Sequence, residues 1–187
     1  MPAAKQPETK VVVSTQMKKG YLQVYTGNGK GKTTAALGLA IRAAGAGLKV
    51  FFAQFIKKRK CSEHTALQRF SDQIIVKQYG TGFIRRPIDK QAFTAAQNGF
   101  AEVSDALLSG EYDVVILDEI NIALHNNLID LNALLDVLSK KPRKTEVVLT
   151  GRNAPDRLIQ EADLVTEMNM VKHYLNAGVK ARKGIEQ

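Results

Sequence analysis

The chain has 187 residues, a formal net charge of +9 and 44% apolar residues, which is enough to build one packed domain and excludes an intrinsically disordered protein. Cys61 is the only cysteine, so an internal disulfide is excluded and a reducing, cytoplasmic setting is expected. The polar start, residues 1–8, carries no apolar signal segment, and no apolar run reaches the length of a membrane span.

Residues 1–19 read as a flexible arm preceding a single domain over 20–187. The first strand is Tyr21-Leu22-Gln23-Val24-Tyr25, and a helical run begins at Ala35. Between them lies Thr26-Gly27-Asn28-Gly29-Lys30-Gly31-Lys32-Thr33-Thr34. Strand, glycine-rich turn, Gly-Lys-Thr and helix make a P-loop. Glycines let backbone N–H groups approach phosphate oxygens, and the helix N-terminus adds unpaired donors. Lys32 adds a point charge, and Thr33 offers a hydroxyl to a magnesium ion. The usual pattern needs glycine six residues before the lysine, where this chain has Thr26. The loop between the framing glycines Gly27 and Gly31 is therefore one residue shorter, and Lys30 lies inside it.

The helix is expected to stop at Gly45 or Gly47. Residues 48–56 form a nearly continuous apolar strand, the pattern of burial on both faces. The basic run Lys57-Lys58-Arg59-Lys60 leads to a short helix near Glu63–Phe70 and a third strand over 74–79. The loop Gly80–Pro87 follows, with the apolar Phe83 between glycine and a basic pair. Asp89 caps a long amphipathic helix that Gly110 ends. The fourth strand, Asp113–Glu119, closes on two carboxylates, the second half of a P-loop site, where Asp118 or Glu119 serves magnesium. A short helix near residue 121, another capped by Asp130, a fifth strand over 145–150, a helix from Pro155 and a sixth strand over 163–168 complete the domain. Arg152 follows the fifth strand, within reach of a phosphate.

Alternating strands and helices predict an α/β, RecA-like P-loop fold: an open, mostly parallel sheet with helices on both faces. No two of His64, His125 and His173 have metal-ligand spacing. The basic residues fall in the arm, the 57–60 run and the tail, without stacking aromatics, which argues against a nucleic-acid surface.

Residues 24–36 resemble the P-loop of the ATP:corrinoid adenosyltransferases, down to the shortened loop. Gln54-Phe55-Ile56-Lys57, Gly82-Phe83, Leu117-Asp118-Glu119, Thr150-Gly151-Arg152 and the tail over 171–185 are similar to that family too. The resemblance implies transfer of the 5′-deoxyadenosyl group of ATP to the Co(I) of a reduced corrinoid, with triphosphate released. It implies ATP as co-substrate, Mg2+ (or Mn2+), a flavoprotein reductase as electron donor and a homodimer. Carried over by position, Gly27, Asn28, Gly29, Lys30, Gly31, Lys32, Thr33 and Thr34 bind the triphosphate, with Arg42, Glu119 and Arg152 completing the nucleotide site. Thr33, Asp118 and Glu119 serve the metal, and Lys32, Lys30 and Phe83 carry the chemistry, Phe83 as a wedge against the corrin. Relatives carry Trp two residues after that Phe; this chain has Arg85 there and no Trp, and Arg85 and Arg86 face the corrinoid periphery in this reading. The alternatives are a P-loop ATPase or kinase with another substrate, and a nucleotide-regulated nucleic-acid-binding module.

Overall fold

In the computed structural model, which describes residues 17–82 and 88–186, each apolar run expected as a strand becomes one. These are β1 (Leu22–Thr26), β2 (Val50–Gln54), β3 (Ile74–Gln78), β4 (Val114–Asp118), β5 (Glu146–Thr150) and β6 (Leu164–Glu167). They pair in the order β3-β2-β4-β5-β1-β6, and every pairing is parallel. Parallel neighbours need crossovers, which are α1 (Lys32–Gly45), α2 (Ser62–Leu67), α3 (Lys90–Ser109), α4 (Ile120–His125), α5 (Leu131–Ser139) and α6 (Asp156–Glu161).

The pleat sends alternate side chains to two separate cores. Phe51, Ala53, Val115, Leu117, Val147 and Leu149 face the layer that holds α3 to α6. Val50, Phe52, Val114, Ile116 and Val148 face α1, whose Ala36, Ala40, Ala43 and Ala44 let the helix lie close to the strands. Each fully buried Phe, Leu or Ile contributes roughly 1.5–3 kcal/mol of transfer free energy, so the central strands carry most of the stability. β6 is the contrasting case: an edge strand with all four residues exposed.

Helix ends follow the sequence signals. Asp89 accepts the Gln91 N–H, Asp130 accepts the Ala133 N–H, and Gly110 closes α3 at φ 72°. α1 begins at Lys32, three residues before the expected start, because the P-loop turn runs directly into its first turn. β2 ends at Gln54 instead of reaching residue 56, because Ile56 turns to φ 68° and leaves the sheet. The arm ends in contact with the domain: Met17 packs against the α1 core, and the Gly20 N–H donates to the Arg143 carbonyl at 2.8 Å.

Candidate active site

Four strand ends, those of β1, β2, β4 and β5, meet at the carboxyl edge of the sheet. β5 lies between β1, which carries the P-loop, and β4, which carries the acidic pair. The order places the Thr33 hydroxyl 2.9 Å from Asp118 Oδ1, to which it donates. The Thr150 hydroxyl, from β5, donates to the same oxygen at 2.7 Å. Gln54, from β2, donates to Asp118 Oδ2 at 3.1 Å, and the Lys57 ammonium stands 3.5 Å from that oxygen. Asp118 is completely buried, so this ring of donors is what makes a carboxylate tolerable there.

The P-loop is braced by the chain that follows β6. The Gly29 N–H donates to the Met168 carbonyl at 2.6 Å, and the Met168 N–H donates to the Thr26 carbonyl at 2.9 Å. Gly27 has φ 91°, and a Cβ there would stand 2.5 Å from the Met168 oxygen. That position therefore admits only glycine without distortion. Lys32 is buried, and its ammonium donates to the Gly27 and Gly29 carbonyls at 2.6 and 2.7 Å. Burial pushes its pKa below the ordinary lysine value; Arg152 adds to that, while Glu119 and Asp118 oppose it.

Glu119 takes a left-handed backbone, φ 63°, at the junction of β4 and α4, and its N–H donates to the Thr150 hydroxyl at 3.0 Å. Burial raises its carboxyl pKa, and Asp118 raises it further against the pull of Lys57, Lys32 and Arg152.

The expected residues divide into groups. Gly27, Gly29, Gly31, Lys32, Thr33, Asp118 and Glu119 converge, and exposed Arg152 is close enough to act on both Lys32 and Glu119. Asn28, on the P-loop turn, and Thr34, in the first turn of α1, are exposed. Lys30 points away from the cradle, its ammonium 3.0 Å from the Tyr174 hydroxyl and 3.0 Å from Glu186 Oε1. Tyr174 and Glu186 are themselves hydrogen-bonded, so the tail is latched to the P-loop through Lys30. Arg42 is in the last turn of α1, ten residues past Lys32, about 15 Å along the axis at the helical rise, and is exposed. Phe83, Arg85 and Arg86 lie outside the described residues.

Gln54, Lys57 and Thr150, which the sequence analysis placed in stretches similar to the family but gave no role, join the site, as does Asn121, which it left outside those stretches. Asn121 is fully buried, donates to the Gly151 carbonyl at 3.1 Å, and has an Oδ1 without a partner among the described residues. The available signal was a polar residue at the carboxyl end of an apolar strand, as at Gln54 and Thr150. Cys61 and His64 are joined locally: His64 Nδ1 accepts the Cys61 N–H at 2.9 Å and caps α2. Cys61, Glu63 and His64 hold ligand-type atoms within 4.8 Å of one another, with Lys57 3.6 Å from Glu63.

Residues 18–187 match the family described as ATP:corrinoid adenosyltransferase BtuR/CobO/CobP. The chain belongs to that family. It is 38% identical to the corrinoid adenosyltransferase of Pseudomonas aeruginosa, covering 94% of this chain and 87% of the relative. It is 36% identical to that of Sinorhizobium sp, over 100% and 89% of the two chains, and 37% identical to CobA of Salmonella typhimurium, over 94% and 89%. In fold it is similar to the flagellar accessory protein FlaH of Methanocaldococcus jannaschii, at TM-score 0.55 and 12% identity over 81% of this chain and 72% of that one. The adenosyltransferase match spans the P-loop, the β4 carboxylates and the tail together. Among the described residues no helix is long and apolar enough to cross a membrane.

Proposed function

We propose that this chain transfers the 5′-deoxyadenosyl group of ATP to the Co(I) of a reduced corrinoid. The electron pair of Co(I) forms the cobalt–carbon bond at C5′, and the C5′–O bond breaks with its pair leaving on triphosphate. No proton moves, so the protein's work is to orient C5′ and to neutralise the leaving group. The observation that carries this reading is the family match over residues 18–187.

In this mechanism the P-loop amides and Lys32 receive the triphosphate. The Lys32 ammonium exchanges two backbone carbonyls, Gly27 and Gly29, for phosphate oxygens. Arg152 adds positive field beside it. Glu119 faces the ribose hydroxyls or the metal. The oxygens of Thr33, Asp118 and Glu119 are hard donors, the set a magnesium or manganese ion takes, and these residues would hold it. When bound, that ion supplies further positive charge to the departing polyphosphate. Phe83 keeps its proposed place against the corrin, and Lys30 its proposed place beside the triphosphate once released from Glu186. The reading extends to a cytoplasmic homodimer supplied with electrons by a flavoprotein reductase.

The test is anaerobic mixing of the protein with magnesium-ATP and cob(I)alamin. Loss of the Co(I) absorbance with adenosylcobalamin and triphosphate as products supports the reading. Release of ADP and phosphate, or persistence of Co(I), refutes it in favour of an ATPase or kinase.

A further inference from the structure

The turn after β2 holds the most unusual backbone in the described residues. Ile56, a β-branched residue, has φ 68°. The other non-glycine residues at positive φ are Glu119, Asn127 and Asn153, types that tolerate it better or, for Glu119, already belong to the site. The Lys57 N–H donates to the Phe55 carbonyl at 2.7 Å, closing a three-residue turn of the rare, strained hand. Such strain persists only where the surroundings over-determine it, and it gathers at functional sites.

Two contacts do the determining here. On one side the Phe55 N–H donates to the Asp118 carbonyl at 2.9 Å, which ties the turn to β4. On the other, the Gly82 N–H donates to the Ile56 carbonyl at 2.8 Å. Gly80 lies so close to Ile56 that a Cβ would stand 1.9 Å from the Ile56 carbonyl carbon. The strained turn is therefore clamped between β4 and the Gly80–Gly82 segment. Its consequence is the direction of Lys57. An extended chain would carry this first residue of the basic run outward, whereas the turn sends its ammonium back to 3.5 Å from Asp118 Oδ2 and 3.6 Å from Glu63 Oε1. Burial depresses its pKa, but Asp118, Glu63 and Glu119 together outweigh that and keep it charged.

Resting on the adenosyltransferase reading, we infer that Lys57 is a positioning residue of the transfer, holding the Oδ2 edge of Asp118 and the Gly80–Gly82 segment in register with the nucleotide site. The geometry separates its work from that of the P-loop. Thr33 engages the Oδ1 edge of Asp118, while Lys57 and Gln54 engage the Oδ2 edge, on the side from which Gly80–Gly82 hangs. Loss of Lys57 is felt by the second substrate and by turnover, and little by the polyphosphate.

The test compares wild type, Lys57→Met, Lys57→Arg and Ile56→Gly, with anaerobic cob(I)alamin kinetics and corrinoid-free calorimetric titration of magnesium-ATP. The expected result for Lys57→Met is kcat lower by roughly 10- to 100-fold, the scale of a small misplacement of reacting groups. KM for the corrinoid rises, while the Kd for magnesium-ATP stays within about twofold, and Lys57→Arg recovers most of kcat. Ile56→Gly frees the turn to leave its clamped direction but also removes the Ile56 side chain from its packing against the core, so its unfolding midpoint falls while it still folds; kcat falls and the Kd for magnesium-ATP holds, which keeps the inference testable if Lys57→Met fails to fold. Wild-type constants in both Lys57→Met and Ile56→Gly overturn the inference, as does a Lys57→Met that loses ATP binding in parallel with turnover. A wild type that forms no adenosylcobalamin overturns the function itself, and the inference with it.

Discussion

Thr33 and Asp118 are 85 residues apart in the chain, and the hydroxyl of one donates to the carboxylate of the other at 2.9 Å. That contact joins the P-loop to the acidic end of β4. It exists because β5 is the single strand between β1 and β4, which sets their carboxyl ends side by side without pairing them.

Asp118→Asn keeps an acceptor for Thr33 and Thr150 but turns a donor toward Gln54 and Lys57. A donor facing donors in a buried site costs about 1–3 kcal/mol. Urea unfolding should show a lower midpoint at unchanged slope, together with a weaker response of activity to added Mg2+. An unshifted midpoint would mean that the ring around Asp118 contributes little.

Glu119→Gln should separate stability from activity. The folded carboxyl has a raised pKa, so the folded state binds this proton more tightly than the unfolded state does. Stability is therefore lost as pH rises from the ordinary carboxylate range, near 4.3, through the higher folded value, and the loss is complete above it. The variant escapes it: at neutral pH it should unfold at higher denaturant than wild type, with the advantage shrinking toward pH 4. Its transfer rate should fall. Denaturation curves across this range check the sign.

Lys32→Met and Lys30→Ala should differ sharply. The Lys32 ammonium reaches back into the loop from the start of α1, and its loss should lower kcat by roughly 10²–10³, the scale for removing one preorganised charge. Lys30 holds the tail through Tyr174 and Glu186. Its loss should reduce turnover less and should speed tryptic cleavage within residues 172–183. Equal kinetic losses, with the tail equally resistant, would contradict the division of labour between the two lysines.

Two glycines on helices predict opposite signs. At Gly99 in α3, a Cβ would stand 2.3 Å from the Tyr79 ring, so Gly99→Ala should destabilise by about 1–3 kcal/mol despite its better helix propensity. At Gly38 in α1 nothing lies within 4 Å, so Gly38→Ala should stabilise by about 0.5–1 kcal/mol. Thermal unfolding of the pair checks both.

The sequence by itself determined the elements and the fold class. Apolar runs such as Val114–Asp118 can be buried only as central strands, Asp89 and Asp130 mark helix starts by local hydrogen bonds, and the loop from Gly27 to Thr33 is contiguous. These are short-range physics, legible from neighbours alone. The tertiary structure decided what depends on contacts across the chain. Gln54, Lys57 and Thr150 gather on Asp118 only because strand order brings β2, β4 and β5 together. Lys57 reads as the first residue of the basic run that follows the second strand, within a stretch similar to the family, and only the inverted turn at Ile56, clamped by Gly80, sends it inward to Asp118. Lys30 reads as a second phosphate-binding lysine, yet its ammonium rests on Tyr174 and Glu186, more than 140 residues away in sequence. Where a side chain's partner lies on another strand or in the tail, periodicity and spacing carry no record of it, because sheet order and backbone direction bring the two together.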